Sequence, residues 1–274
     1  SNWPHILDGT NLKAVPASAL AMGTAAYQKH FGADANTERW LEQALYSLGT
    51  LRDLYEPDGS YDEGVAYAGY TSLNVAQATT VLRRMLGVDR YDLVNWPGYV
   101  TFVRETFMPT AVDPKGIVNF SDAWAGPTSA VAFWTAGRAR DGSAQWTGAH
   151  VGREHDAWSL VWYDPSVEEE APPARPHLWQ SDLDWIVARD GYTPDDLVVA
   201  MRSGGPANHE HADRGSIVVK AFGQVLVADP SRPPYSNADP AWMMRTTAGH
   251  SALLIDGEGH QYHDGSEGTN SSKA

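Results

Sequence analysis

The sequence predicts an α+β chain of two parts, helical over residues 1–163 and β-stranded over 181–274, joined by a linker at 164–180. Three observations predict it. Apolar residues recur at helical spacing through the first half. A charged, proline-rich run from Asp164 to Pro176, with Glu168-Glu169-Glu170 at its centre, marks a change of character. Short β-branched runs bounded by Gly, Asp and Asn follow it, as in an antiparallel sheet or sandwich.

The helical elements come in order. Leu12–Phe31 is rich in Ala, Leu and Met, with Pro16 expected in its first turn, and Gly32-Ala33-Asp34 breaks it. Asn36 is placed to cap a second helix over Thr37–Tyr55, whose Trp40, Leu41, Ala44, Leu45, Leu48 and Leu51 form an apolar stripe suited to core packing. Glu56-Pro57-Asp58-Gly59-Ser60 reads as a turn, and Val65–Leu86 as a third helix ended by Gly87. A fourth covers Tyr91–Met108, interrupted at Pro97-Gly98. Trp124–Ala136 and Ser143–Tyr163 complete the set. Short loops between successive helices imply antiparallel pairs packed side by side.

Beyond the linker the strands are Trp185–Arg189, Leu197–Arg202, a hairpin turning at Phe222-Gly223-Gln224, and Leu253–Ile255. The segment Gly265–Ala274 is small and polar and reads as a flexible end or a truncation.

Composition bounds the function. Among 274 residues, 42% are hydrophobic, with 11 Trp and 12 Tyr, enough for substantial cores. So many rings also suit a carbohydrate-facing cleft, although core packing accounts for them equally well. A net charge of −14 argues against nucleic acid and against an anionic membrane surface. A local basic cleft stays open, since Arg83, Arg84, Arg104, Arg202, Arg214 and Arg245 could converge on folding. Without cysteine there are no disulfides, and the redox compartment is undetermined. No apolar run approaches the roughly 18 residues of a membrane span, and Ser1-Asn2-Trp3-Pro4 is no signal peptide. Oligomeric state is not readable.

The densest chemistry lies between Asn208 and Asp229. On a strand, residues i and i+2 share a face, so His209, His211 and Asp213 are expected to point the same way. His211 and Asp229 would then sit near the two ends of a hairpin, with His250 leading a further apolar run. Two histidines and one carboxylate make a sensible zinc set. An isolated His-x-His is more often a surface or hydrogen-bonded pair. The Asp, the Gly and the hairpin that follow favour metal binding or catalysis here. A zinc hydrolase of the metallo-β-lactamase type also uses His-x-His-x-Asp, but it places a His directly after the Asp, where this chain has Arg214, and its fold conflicts with a helical first half.

Three ordered segments carry a resemblance. Asp58-Gly59-Ser60-Tyr61-Asp62-Glu63-Gly64-Val65-Ala66-Tyr67-Ala68-Gly69-Tyr70, the run from His209 through Gly215 to Asp229, and Gly249-His250-Ser251 up to Asp256-Gly257 resemble the motifs of heparinase II/III-like polysaccharide lyases, nearest to their heparinase II and alginate lyase branches. The resemblance implies an α/α toroid followed by an antiparallel β-sandwich, with the active cleft between. Family members usually carry more helices before the Asn2-Trp3 segment and more strands after His250. The toroid is therefore expected to be incomplete and the sandwich truncated.

The resemblance also implies a chemistry, the β-elimination of a glycosidic bond beside a uronic acid, and an acidic polysaccharide as partner. Tyr67 matches the proton-transfer position, with Tyr61 and Tyr70 as rivals. His209 matches the catalytic histidine, and Tyr235 a second family tyrosine, a turn residue being the alternative. Asn2 is the candidate carboxylate neutraliser, and His5 could stand in for the family's usual histidine. Glu63, Tyr61, Tyr70 and Arg214 are expected to bind substrate, Glu63 more by fixing local hydrogen bonds than by chemistry. His211, Asp229 and His250 match ligands of a structural zinc. A lyase of this kind works in the periplasm or outside the cell. The alternative is a truncated or inactive protein that binds acidic polysaccharide without cutting it. Which uronate polymer is bound, and whether it is cut from its end or internally, no motif fixes.

Overall fold

The structure, a computed structural model, describes residues 10–61, 63–205, 209, 211–230, 232–236 and 238–259. Asn2 and His5 lie outside these residues. Within them, seven α-helices precede a five-stranded antiparallel sheet.

Helix α1 (Asn11–Phe31) buries Ala14, Ala17, Ala21 and Ala25 at three- and four-residue spacing. That small face lets both α2 (Ala35–Gly49) and α3 (Val65–Leu86) pack closely on it. Pro16 sits in the second turn of α1 rather than the first, where it forfeits one helical hydrogen bond. Asp34, not Asn36, caps α2. Its carboxylate accepts from the Asn36 and Thr37 N–H groups at 2.9 Å each, and the Thr37 hydroxyl accepts from the Asp34 N–H at 2.9 Å. The second helix stops at Gly49 and tightens into a 3-10 turn over Thr50–Leu54.

Helix α4 spans Trp96–Glu105, and Pro97 starts it rather than interrupting it, with the Asn95 side chain accepting from the Gly98 N–H at 3.0 Å. The helix expected at Trp124–Ala136 begins later, as α5 at Ala130–Ala139, because Pro127 bars helical backbone at the residue before it. Ser143–Tyr163 is two helices, α6 (Gly142–His150) and α7 (Ala157–Trp162). They part at Gly152, where a Cβ would lie 2.2 Å from Ser129 Oγ. Helices α4, α6 and α7 pack around α5, and α5 meets α3. These side-by-side pairs are the unit of which an α/α toroid is built.

The sheet runs in sequence order, β1 (His177–Gln180), β2 (Trp185–Arg189), β3 (Val198–Arg202), β4 (Ile217–Ala221) and β5 (Gln224–Val227). β1 falls inside the segment expected to be linker, and it pairs with β2, so its four residues belong to the sheet. Val187 faces Ala200, and Val199 faces Val219. The β4–β5 reversal uses Phe222 (φ 54°) and Gly223 (φ 74°), both left-handed, as a two-residue hairpin requires. Among the described residues there is one sheet layer. Leu253–Ile255 is not a strand: Ile255 forms only an isolated bridge with Glu258, and Leu253 and Ile255 are exposed. An apolar run with no neighbouring strand to pair with stays irregular.

One face of the sheet packs on the helices. Trp185 meets Phe102 of α4 and Phe120, with ring centroids 5.8 and 5.3 Å apart. A polar clamp reinforces the junction. Buried Glu105, at the end of α4, bonds His177 at 3.0 Å, Tyr192 at 2.8 Å and Arg104 at 3.1 Å, and Arg189 lies 4.2 Å over the Tyr192 ring. The Asp58-Gly59 turn is tied to the sheet side as well, because Asp58 and Asp182 each accept the other's N–H at 3.0 Å. Gly59 (φ 86°) is needed there, since a Cβ would come within 2.2 Å of the Tyr99 nitrogen.

Candidate active site and metal centre

The site lies where α3, the loop before α5 and the segments around β4 and β5 meet. Its hub is Asp122, which none of the sequence motifs contains. The carboxylate is 1% exposed. Its Oδ2 accepts from the Tyr235 hydroxyl at 2.7 Å and lies 3.1 Å from His209 Nδ1. Its Oδ1 lies 3.0 Å from His211 Nε2 and accepts from Arg245 Nη2 at 2.8 Å. Burial pushes the Asp122 carboxyl up, but the hydrogen bonds from His209 and His211 and the Arg245 charge outweigh it and hold the group well below the usual carboxylate range.

Backbone strain helps to bring these groups together. Ser121 (φ 65°) and His209 (φ 62°) are both left-handed without being glycine. The Asp122 N–H donates to the His209 carbonyl at 2.9 Å, so strained His209 is tied to the residue that follows strained Ser121. Conformations of this kind cost about 1–3 kcal/mol each and persist where the surroundings over-determine them.

On the helical side, Tyr67 lies in the first turn of α3. Its ring stacks on that of His209, centroids 3.7 Å apart and planes 6° apart, and its hydroxyl is 3.1 Å from that of Tyr235. The Tyr235 hydroxyl is also 3.0 Å from His209 Nδ1. A continuous polar path therefore runs from Tyr67 through Tyr235 to His209 and Asp122. Burial raises the Tyr67 phenol, partly offset by the hydrogen bond with Tyr235 and by the charge of Arg232. Burial raises Tyr235 much further, and the contacts with Tyr67 and Asp122 add to it.

Other expected residues sit differently. His209, His211 and Asp213 do not share a strand face, because the chain before β4 is an irregular turn. His209 and His211 converge on Asp122, while Asp213 turns away to pair with buried Arg202 at 3.1 Å. Tyr61 is fully buried, bonded to Glu63 at 2.8 Å and Thr71 at 2.9 Å, which removes it from any substrate-facing role. Glu63 is buried too. It accepts from Tyr61 and from the Asn11 N–H at 2.8 Å and lies 4.0 Å from His209 Nε2, so it buttresses the histidine rather than touching substrate. Arg214 is partly buried and donates to the Gly204 carbonyl. Tyr70 is exposed, one turn beyond Tyr67.

A second cluster adjoins the hub. His211, Asp229 and His250 each offer a ligand atom within 4.8 Å of the others. His250 Nδ1 is 2.7 Å from Asp229 Oδ2. Two buried ring nitrogens, His211 Nδ1 and His250 Nε2, have no hydrogen-bond partner among the described residues. Unpartnered imidazole nitrogens beside a carboxylate are what a metal would satisfy. The Asp122–His211 bond is the outer carboxylate contact that orients a ligating histidine. The donor set fits a divalent metal.

Asp122 escapes sequence reading, and Arg245 enters it only as one of six arginines that could line a basic cleft. The only local signal for Asp122 is a Ser-Asp pair ahead of an apolar stretch, which reads as a helix cap.

The fold that holds these residues is shared with known proteins. Residues 172–273 match the family profile described as Heparinase II/III-like, C-terminal. Among solved structures, heparinase III superposes with a TM-score of 0.70 at 15% identity, over 92% of this chain and 40% of that one. The heparan sulfate lyase HepC from Pedobacter heparinus gives 0.61 at 16%, over 88% and 36%. A second heparinase III structure gives 0.65 at 13%, over 88% and 37%. The chain thus spans about two-fifths of the solved chains it matches, and at these identities the likeness is one of fold. Residues 172–273 thus carry the sheet-side segment that the heparinase II/III-like profile describes, and the helices and sheet of the chain are arranged as in heparinase III.

Proposed function

We propose that this chain carries the proton-transfer centre of a polysaccharide lyase, which breaks the glycosidic bond next to a uronic acid by β-elimination. The observation that supports the reading best is the pair of phenols, Tyr67 and Tyr235, hydrogen-bonded to each other and backed by His209 and Asp122. In the reaction the C5 proton leaves to a base, the C4–O4 bond breaks, a C4–C5 double bond forms, and O4 takes a proton as it departs. No water is consumed.

Two acid–base groups with separated proton affinities are what such a step needs. Tyr67 is the easier of the two phenols to ionise, being relieved by Tyr235 and Arg232, and serves as base. Tyr235, held protonated, gives its proton to O4 and is recharged through His209 and Asp122. Asn2 is proposed as the neutral donor to the uronate carboxylate, with His5 beside it. A metal held by His211, Asp229 and His250, zinc by the chemistry of the ligands, would pin the segment leading into β4 to the chain after β5 and so fix the wall that carries His209 and Tyr235.

The substrate class is an acidic polysaccharide, with heparan sulfate the first polymer to try in view of the neighbouring folds. Such polymers lie outside the cytoplasm, in keeping with a secreted or periplasmic protein. No helix among the described residues is long and apolar enough to cross a membrane. The test is a panel of heparan sulfate, heparin, hyaluronan, alginate and ulvan, followed by the ultraviolet absorbance of the unsaturated uronate product. A rise that Tyr67→Phe abolishes, with polymer binding kept, supports the lyase. Binding without any rise on every polymer favours a non-cutting acidic-polysaccharide-binding protein.

A further inference from the structure

The phenol pair has a neighbour that the reaction above leaves unused. Trp124 stands edge-on to Tyr67, ring centroids 5.1 Å apart at 85°, and is half exposed at 49%. Its indole borders a cavity of about 330 Å³, lined also by Asn119, Thr110 and Arg153. That volume is at the lower end of small-ligand sites, which run roughly 300–1,000 Å³. Arg232 is exposed, with its guanidinium 5.2 Å over the Trp124 ring and 5.8 Å over that of Tyr235. Among the described residues no carboxylate pairs with it, although the chain carries a net charge of −14. The cavity's own acids are engaged, Asp113 with Arg153 at 3.4 Å and Asp229 with His250 at 2.7 Å.

We propose that Trp124 and Arg232 form a binding subsite for the sugar unit next to the one held at Tyr67, Trp124 packing against the sugar ring and Arg232 pairing with its anionic group. The inference rests on the lyase reading for the position of the reacting sugar.

Three physical points carry it. An indole offers a flat apolar surface of the kind that the C–H face of a pyranose covers, and one already fixed edge-on to Tyr67 loses little freedom on doing so. A guanidinium resting over exposed rings is held weakly, whereas a carboxylate or sulfate takes it in two parallel charge-assisted hydrogen bonds. The exchange therefore favours an anionic ligand. Finally, an unpaired cation against an acidic chain makes a local attractive point for an acidic polymer, at the place where it must arrive to react.

The test compares Arg232→Gln, Arg232→Lys, Trp124→Ala and Trp124→Phe in the full chain, using initial rates on heparan sulfate and on its unsulfated precursor polymer. Losing one charge-assisted contact in Arg232→Gln should raise KM about tenfold, and kcat should fall as well because the guanidinium also eases ionisation of Tyr67, whereas Trp124→Ala should raise KM and leave kcat within about twofold. Arg232→Lys and Trp124→Phe should recover part of the loss. An equal rise on both polymers assigns the carboxylate, and a rise on the sulfated polymer alone assigns the sulfate. An unchanged KM on both in Arg232→Gln overturns the subsite. Where the wild type binds but does not turn over, Kd by titration calorimetry replaces KM, with the same outcomes deciding. A wild type that does not bind either polymer overturns the proposal as well. Full activity in Tyr67→Phe would end the assignment of Tyr67 as base while the Arg232 result still decides the subsite.

Discussion

The rings of Tyr67 and His209 lie parallel, 3.7 Å apart and within 6° of coplanar stacking, although 142 positions of sequence, from 67 to 209, separate them. Tyr67 belongs to a helix and His209 to the strained turn before β4, so this one contact joins the helical wall to the sheet-side wall. Its neighbour, the Tyr235 hydroxyl, is shared between them.

The first prediction concerns His209. It orders the Tyr67 ring by stacking, and it bonds Tyr235 and Asp122 through Nδ1. His209→Ala should lower turnover by about 10²–10⁴-fold, the usual contribution of a positioned proton-transfer group. KM should change little. Added imidazole, which fits the space vacated, should restore part of the rate. Unchanged turnover would remove the imidazole from the relay.

Asp122 carries a stability prediction. Arg245, fully buried, donates to its Oδ1, with the two histidines and Tyr235 on the same carboxylate. Asp122→Asn keeps the shape but removes the charge and leaves the guanidinium buried without its counter-ion. Removing one partner of such a pair costs about 3–5 kcal/mol. Urea denaturation of the variant should show that loss. A change under about 1 kcal/mol, the value of an exposed pair, would mean that Arg245 finds other support.

The regular elements were legible where local chemistry settles them. The helix read from near Val65 to Leu86 is found over Val65–Leu86, because glycines flank an uninterrupted helical period. Trp185–Arg189 and the β4–β5 turn are read from alternation and from Phe222-Gly223. The resemblance named Tyr67, Tyr235, His211, Asp229 and His250, which the structure gathers into two adjoining clusters. What stayed hidden was set by distant partners. His209 and His211 look like neighbours on a strand face, but left-handed backbone at His209 sends them to opposite oxygens of one carboxylate. Asp122 lies 87 residues from His209 and 123 from Arg245, and no local pattern distinguishes it from a helix cap. Tyr61 and Glu63 share the motif of Tyr67, yet the turn before α3 points them into the core.

A metal prediction follows from the two unpartnered imidazole nitrogens. Elemental analysis of the purified chain should find zinc near one per molecule, and His211→Ala should lose it. Because a bound metal stabilises only the folded state, chelation of the wild type should lower Tm by roughly 5–10 °C, at about 2–4 °C per kcal/mol in a chain of this size. Chelator should shift the variant much less. Equal shifts in both would place the metal elsewhere or show that none is bound.

The last prediction is a pH dependence at the junction of helices and sheet. Burial pushes the Glu105 carboxyl up, but the hydrogen bond with His177, the charges of Arg189 and Arg104 and the Tyr192 hydroxyl outweigh it, so the folded value falls below the ordinary 4.5. A carboxyl depressed on folding stabilises fully above its unfolded value, and that contribution is lost as pH falls through the folded one. Wild-type stability should therefore decline with acidification below 4.5. Other carboxylates, Asp122 among them, contribute in the same direction, so the decisive quantity is the difference from Glu105→Gln. That variant should be less stable near neutrality, where the ionised carboxylate holds α4 to β1 and β2, and the gap should narrow as pH drops. Urea midpoints across the acid range measure it. A gap that stays constant would show that Glu105 acts through packing rather than through its charge.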